Sequence, residues 1–217
     1  MNKSPGTSLS RSIGSDSLKD VLATSGDIGL NAAVDSGALD GVPVLNVLTG
    51  LYKAQRDVRQ VLYQRKIARF LKGLDSTSAA EREKFTNDLE KSGKLEEFGE
   101  TILELIDKSD EVRKPRIVGR IMAAHISGSI SYEQAIRVST MINRVFLDDL
   151  NFLANFVWGF PSDFDREIAA SLAAAGFLRS DGTDLGGIGG SLSSSKIRYR
   201  RTRYGDIVVE YGLEWQS

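Results

Sequence analysis

Between residues 43 and 157, apolar side chains recur three or four positions apart, and a chain of 217 residues holding four prolines can sustain that period for long stretches. Leu95, Phe98, Ile102, Leu105 and Ile106 form one such stripe. Ala135, Val138, Ile142, Val145, Phe146, Leu150, Leu153 and Val157 form another, which predicts a single long helix over about 132–157. Helix starts punctuate the pattern. Ser78 with Glu81 and Ser131 with Gln134 have capping-box spacing, in which the serine oxygen accepts a first-turn amide proton and the longer side chain reaches back. Ser109 is expected to cap a helix whose firm part is 116–126, delayed by Pro115, and Gly93 to end the helix before it. The fold class predicted is therefore mainly α.

Charge is unevenly spread. The formal net charge is −1, which excludes a uniformly basic nucleic-acid binder. Residues 53–72 nevertheless carry seven Lys/Arg against one acid, Asp57, while residues 75–111 carry twelve Asp/Glu against five Lys/Arg. The two runs either face each other or face different partners. With no cysteine, disulfides, thiol nucleophiles and thiolate metal sites are excluded. The N-terminus lacks the apolar core of a signal peptide, and no run has the ~18–20 apolar residues of a spanning helix, so a cytoplasmic location is expected.

The stretch Val42–Lys72 couples an apolar opening to the basic run. Pro43 suits a first helical turn. Leu51, Ala54, Val58, Val61 and Leu62 share one face, but Ile67, Phe70 and Leu71 fall on another. The helix either breaks near Tyr63–Lys66 or packs on two sides; two-sided packing is favoured because nothing between them breaks a helix. Its surface candidates for a membrane or a partner are Val44, Leu45, Leu48, Lys53, Arg56 and Arg59, with the apolar residues in the interface and the cations on anionic lipid. The favoured reading of the stretch is nonetheless a core helix with a solvated basic face, around which the helical domain packs.

Residues 1–15, rich in serine and glycine, are expected to be a disordered arm. A helical-bundle domain then spans 16–157, and a smaller module 158–217. In the latter, a helix over DFDREIAASLAAAGFL is followed by a strand-like GFLRS, the Gly/Ser-rich DGTDLGGIGGSLSSS, the basic alternating KIRYRR, and Thr202 as cap of a closing helix. The ending Tyr199–Arg–Arg–Thr202–Arg–Tyr–Gly205 and the preceding AGFL resemble winged-helix regulators over about 162–212. That resemblance implies a small α+β module with a wing, serving DNA binding or protein–protein contact. The N-terminal part resembles uncharacterised bacterial helical proteins, some of them near phage-defence functions.

The basic strand is the nucleic-acid candidate: Lys196, Arg198, Arg200, Arg201 and Arg203 place five cations in eight residues with no acid. Alternation sets Lys196, Arg198 and Arg200 on one face and Ile197 and Tyr199 on the other. An exposed edge guarded by charge would read the same way. The Asp163, Asp165 and Glu167 cluster at the start of the preceding helix opposes DNA reading by that helix.

No catalytic site is predicted. His125 is the only histidine, no G-x-S-x-G elbow occurs, and a structural role on an Ile/Ala-rich helix is expected. Glu96, Glu100 and Glu104 repeat at i,i+4, but no Glu-x-x-His partner accompanies them, so they read as a solvated acidic face; no metal and no cofactor is expected. The glycine-rich DGTDLGGIGG lacks the G-K-[ST] of a phosphate loop. The leading reading is a non-enzymatic bacterial interaction or regulatory protein acting through helical surfaces and a basic wing, with a protein partner or a second copy of itself. A DNA-binding winged-helix regulator is the first alternative. A membrane-surface effector, in a phage-defence setting, is the second.

Overall fold

A computed structural model describes residues 4–51, 57–156, 166–184 and 196–213, the side chains of 51, 183, 184 and 196 excepted. The described chain is mainly α with one two-stranded antiparallel ribbon. It divides into two compact units, Met1–Ala135 and Ile136–Ser217.

The first unit holds α1 (Pro5–Ile13), α2 (Leu18–Ala23), α3 (Gly26–Asp35), α4 (Pro43–Leu51), α5 (Val58–Lys72), α6 (Ala79–Lys91), α7 (Leu95–Asp107) and α8 (Lys114–Ile126). Helix α5 is its organising element, packing against α8, α3, α2, α7 and α4. Asp57 opens it with a capping box closed by Gln60. The helix runs without a break through Tyr63–Lys66, and its C-terminal half is enclosed: Ile67, Ala68, Phe70 and Leu71 are all fully buried. The slip in apolar phase has another cause at the other end, where Val58 and Leu62 stay exposed at 72% and 38%. Two glycines let α5 and α8 meet backbone to backbone. A Cβ on Gly119 would overlap the Phe70 carbonyl, and one on Gly73 the Arg116 carbonyl. Lys114, 1% exposed, begins α8 and donates to Asp110 Oδ1 at 2.6 Å.

The expected disordered arm is instead helix α1. Ser4 caps it by accepting the Thr7 amide proton at 3.2 Å, and Pro5 occupies the first turn. Composition misleads because small side chains permit close approach. A Cβ on Gly99 of α7 would overlap the Gly6 carbonyl of α1. At that separation the serines are bonded inward: Ser10 Oγ donates to Leu95 O at 2.6 Å, and Ser12 Oγ donates to Ser8 O and accepts from the Val44 amide. Leu9 and Ile13 are fully buried, each contributing about 1.5–3 kcal/mol.

Other expectations hold. The α7 stripe Leu95, Phe98, Ile102, Leu105 and Ile106 is buried. Both capping boxes form, at Ser78–Glu81 and Ser131–Gln134. Gly93, at φ +70°, turns the chain after α6. Ser109 does not cap α8, which begins at Lys114 after Arg113; its hydroxyl donates to Leu105 O.

Helix α9 (Tyr132–Ile142) crosses the boundary between the units. The expected helix to 157 stops at Ile142. After a turn, Phe146 takes an extended backbone (ψ 139°) and α10 (Leu147–Asn151) restarts, with Asp148 and Asp149 favouring a helix N-terminus. A 3₁₀ turn, Phe152–Asn155, follows. Val145, Leu147, Leu150 and Leu153 stay buried through this break, whereas Phe146 is turned out at 76% exposure. The division between units falls at 135/136, within α9, and not at 157/158. Val157 and residues 162–165 lie outside the described residues.

The second unit continues with α11 (Arg166–Ala174), β1 (Leu178–Asp184), β2 (Lys196–Arg201) and α12 (Arg203–Ile207), the last running into a π turn, Val208–Gly212. Thr202 caps α12 as expected: it accepts the Gly205 amide proton at 3.3 Å and donates to Gly176 O at 2.7 Å. The Gly/Ser-rich residues 185–195 lie outside the described ones.

Candidate functional site

The β1–β2 ribbon sets Leu178 opposite Arg201, Arg179 opposite Arg200 and Ser180 opposite Tyr199. A bulge follows, after which Thr183 faces Ile197 and Asp184 faces Lys196. Alternation along β2 fixes two faces. Leu178 and Arg201 point into the unit, with Leu178 buried and the Arg201 side chain 16% exposed. Arg179, Arg198 and Arg200 share the other face.

The five sequence-predicted cations therefore separate. Arg201 is structural. Its Nη1 donates to the carbonyls of Leu153 and Ala154 at 3.0 and 3.2 Å, and its Nε donates to Asp206 at 2.7 Å, tying the ribbon to the 3₁₀ turn and α12. Arg200 lies 3.4 Å from Asp181 across the bulge, and Arg198 is half-buried beside it in the alternation. Arg203, exposed, starts α12. Lys196 holds its place in the strand opposite Asp184. Ile197, on the same face as Tyr199, is 45% exposed.

Arg179 belongs to this surface and is absent from the sequence-based set. It is exposed, has no carboxylate partner among the described residues, and stands directly across from Arg200. Like charges opposed in a ribbon are destabilising. Only pairing register could have revealed this, since Arg179 and Arg200 are far apart in sequence.

The helical surface fares differently. Val44, Leu45 and Leu48 are 0%, 3% and 4% exposed, packed between α1 and α5, so these residues are core and not a membrane or partner surface. Lys53 and Arg56 lie outside the described residues. Arg59 is exposed and lines a shallow cleft of about 190 Å³ with Leu48, Gln60, Tyr63, Gln64 and Asp107. The rest of the basic run is turned inward. Arg65 forks onto Asp35 at 3.3 and 2.5 Å, Lys66 donates to Ser109 O at 2.5 Å, and Lys72 donates to Leu22 O. Arg69, 5% exposed, donates to Asn31 Oδ1 at 3.0 Å and sits 3.5 Å from Asp27. The carboxylates it and Arg65 meet are on α3, outside the acidic 75–111 run.

His125 stands among Phe85 and Tyr132, at ring separations of 5.6 and 5.5 Å, and its Nδ1 lies 3.2 Å from Ile130 O. Nδ1 donates there, which fixes the ring against the turn after α8. Burial, first, pushes the Tyr132 phenol above its ordinary range. Glu96, Glu100 and Glu104 are exposed, and Glu104 accepts from Lys108 at 2.6 Å. Among the described residues no group of three His, Asp or Glu could hold a metal ion, and no helix is long and apolar enough to cross a membrane.

No protein-family model matches the chain, nor does any curated protein or solved structure.

Proposed function

We propose that this is a non-enzymatic interaction protein whose working surface is the basic ribbon, and that its partner is the phosphate backbone of double-stranded nucleic acid. One observation carries the reading: Arg179 and Arg200 oppose each other across β1–β2, beside Arg198, with Asp181 the carboxylate paired to Arg200. A ribbon that tolerates this repulsion gains when an anion of several charges lies along it. The order α11, β1, β2, α12 supports a winged-helix-like module with the ribbon as wing, and a wing tracks the backbone without reading bases. The helical surface contributes less, since Val44, Leu45 and Leu48 are core.

The test is fluorescence anisotropy with duplex DNA of arbitrary sequence across a salt series. Three or four neutralised phosphates give a log–log slope of about −3. R179Q/R200Q should reduce that slope by about 2. Absence of binding at low salt, or a slope unchanged in the double variant, refutes the reading.

A further inference from the structure

Beyond the ribbon, two more arginines converge on one aromatic ring. Arg137, on the second-unit portion of α9, and Arg203, at the start of α12, each place the guanidinium carbon 5.5 Å from the centroid of the Tyr204 ring. Arg137 Nη1 also donates to Tyr204 Oη at 3.1 Å. Both arginines are exposed, and neither has a carboxylate partner among the described residues. The phenol is held below its ordinary range, first by the hydrogen bond from Arg137 and then by the charges of Arg137 and Arg203. Cations usually neutralise each other's neighbourhood with Asp or Glu; here a neutral ring orients two of them instead.

The hydrogen-bond inventory of the cluster is one-sided. Tyr204 Oη accepts from Arg137, which leaves its own proton to donate. The remaining guanidinium N–H groups are donors with no acceptor capacity. Two planar forks and a hydroxyl grouped at one ring match the oxygens of a phosphoryl group, which accept several charge-assisted bonds at once.

We propose that Arg137, Arg203 and Tyr204 form a binding site for a phosphoryl group, with Tyr204 orienting both guanidiniums and donating its own hydroxyl proton. The site rests on the ribbon reading only for what bears the phosphate. Arg203 lies two residues beyond the end of β2, so a nucleic-acid strand held on the ribbon is the bearer favoured.

The experiment follows the ¹³Cζ resonance of Tyr204, assigned with Y204F, in the full chain at increasing inorganic phosphate and, separately, increasing duplex DNA. Inorganic phosphate should move the resonance saturably and raise the pH at which it titrates, because neutralised guanidiniums no longer stabilise the phenolate. In R137Q/R203Q, with an unchanged melting temperature as the check on folding, that response should be lost. A response to phosphate without duplex binding upholds the site and defeats the ribbon reading. A response to both upholds both, and a response to duplex alone overturns the phosphoryl site. A resonance unmoved by either, or moved equally in R137Q/R203Q, overturns the site.

Discussion

Helix α5 holds Arg59, Arg65, Lys66, Arg69 and Lys72 along its length, and the segment from β2 into α12 holds Lys196, Arg198, Arg200, Arg201 and Arg203. As strings of letters they are equally basic. In the fold, α5 leaves Arg59 exposed but directs the other four onto Asp27, Asn31, Asp35 and the carbonyls of Leu22 and Ser109, so they fasten α2, α3 and the turn after α7 around its enclosed C-terminal half. The ribbon commits Arg201 in that way, pairs Arg200 with Asp181 and sets Arg200 against Arg179. A cation on an enclosed helix must find an acceptor, since burying it unpaired is costly. On the two-stranded ribbon, the exposed Arg179 keeps its water and has no such obligation. Local charge density therefore says little about binding until burial is known.

The largest effect that would break this contrast is at the α5–α8 crossing. Gly119→Ala drives a methyl into the Phe70 carbonyl and should cost about 3 kcal/mol or more, read as a fall in the urea midpoint. A mild effect would mean that α5 is not held as tightly as its cation pairing requires. Next, Arg69→Ala removes a buried guanidinium and leaves Asn31 without its donor; a loss of about 2 kcal/mol is expected, with DNA binding unchanged. If anisotropy showed weakened duplex binding with stability intact, α5 would be a second working surface. The smallest effect is the most pointed. Arg179→Gln relieves a like-charge pair, so thermal unfolding should shift by no more than the equivalent of about 0.5 kcal/mol, toward stability, while the salt slope falls by about 0.9. Destabilisation by this substitution would place Arg179 with Arg201 as a structural residue.

Period and caps were legible in the sequence. The α7 stripe, both capping boxes, Thr202 as a cap and the glycine turn after α6 all follow from residues within a turn or two of each other. What misled was composition. Serine and glycine near the N-terminus suggest a segment too polar to bury, yet Ser10 and Ser12 bury because carbonyls of Leu95 and Ser8 meet them. A continuous apolar stripe from Ala135 to Leu153 suggests one helix, yet the chain breaks at Phe146 and keeps its neighbours buried by changing direction.

For the candidate site, the sequence named the basic strand but sorted its residues only by alternation. It had no means to find Arg179 or Arg137, whose partners lie 21 and 67 positions away. The sequence by itself determined the mainly helical class, the helix starts and the placing of cations along the chain, because these depend on backbone bonding and side-chain spacing over a few residues. Tertiary structure alone decided which helix is enclosed, which serines are core, and which arginines face solvent together. Those outcomes depend on what segments distant in sequence present to each other, and burying a charge or hydroxyl is costly unless a partner completes its hydrogen bond.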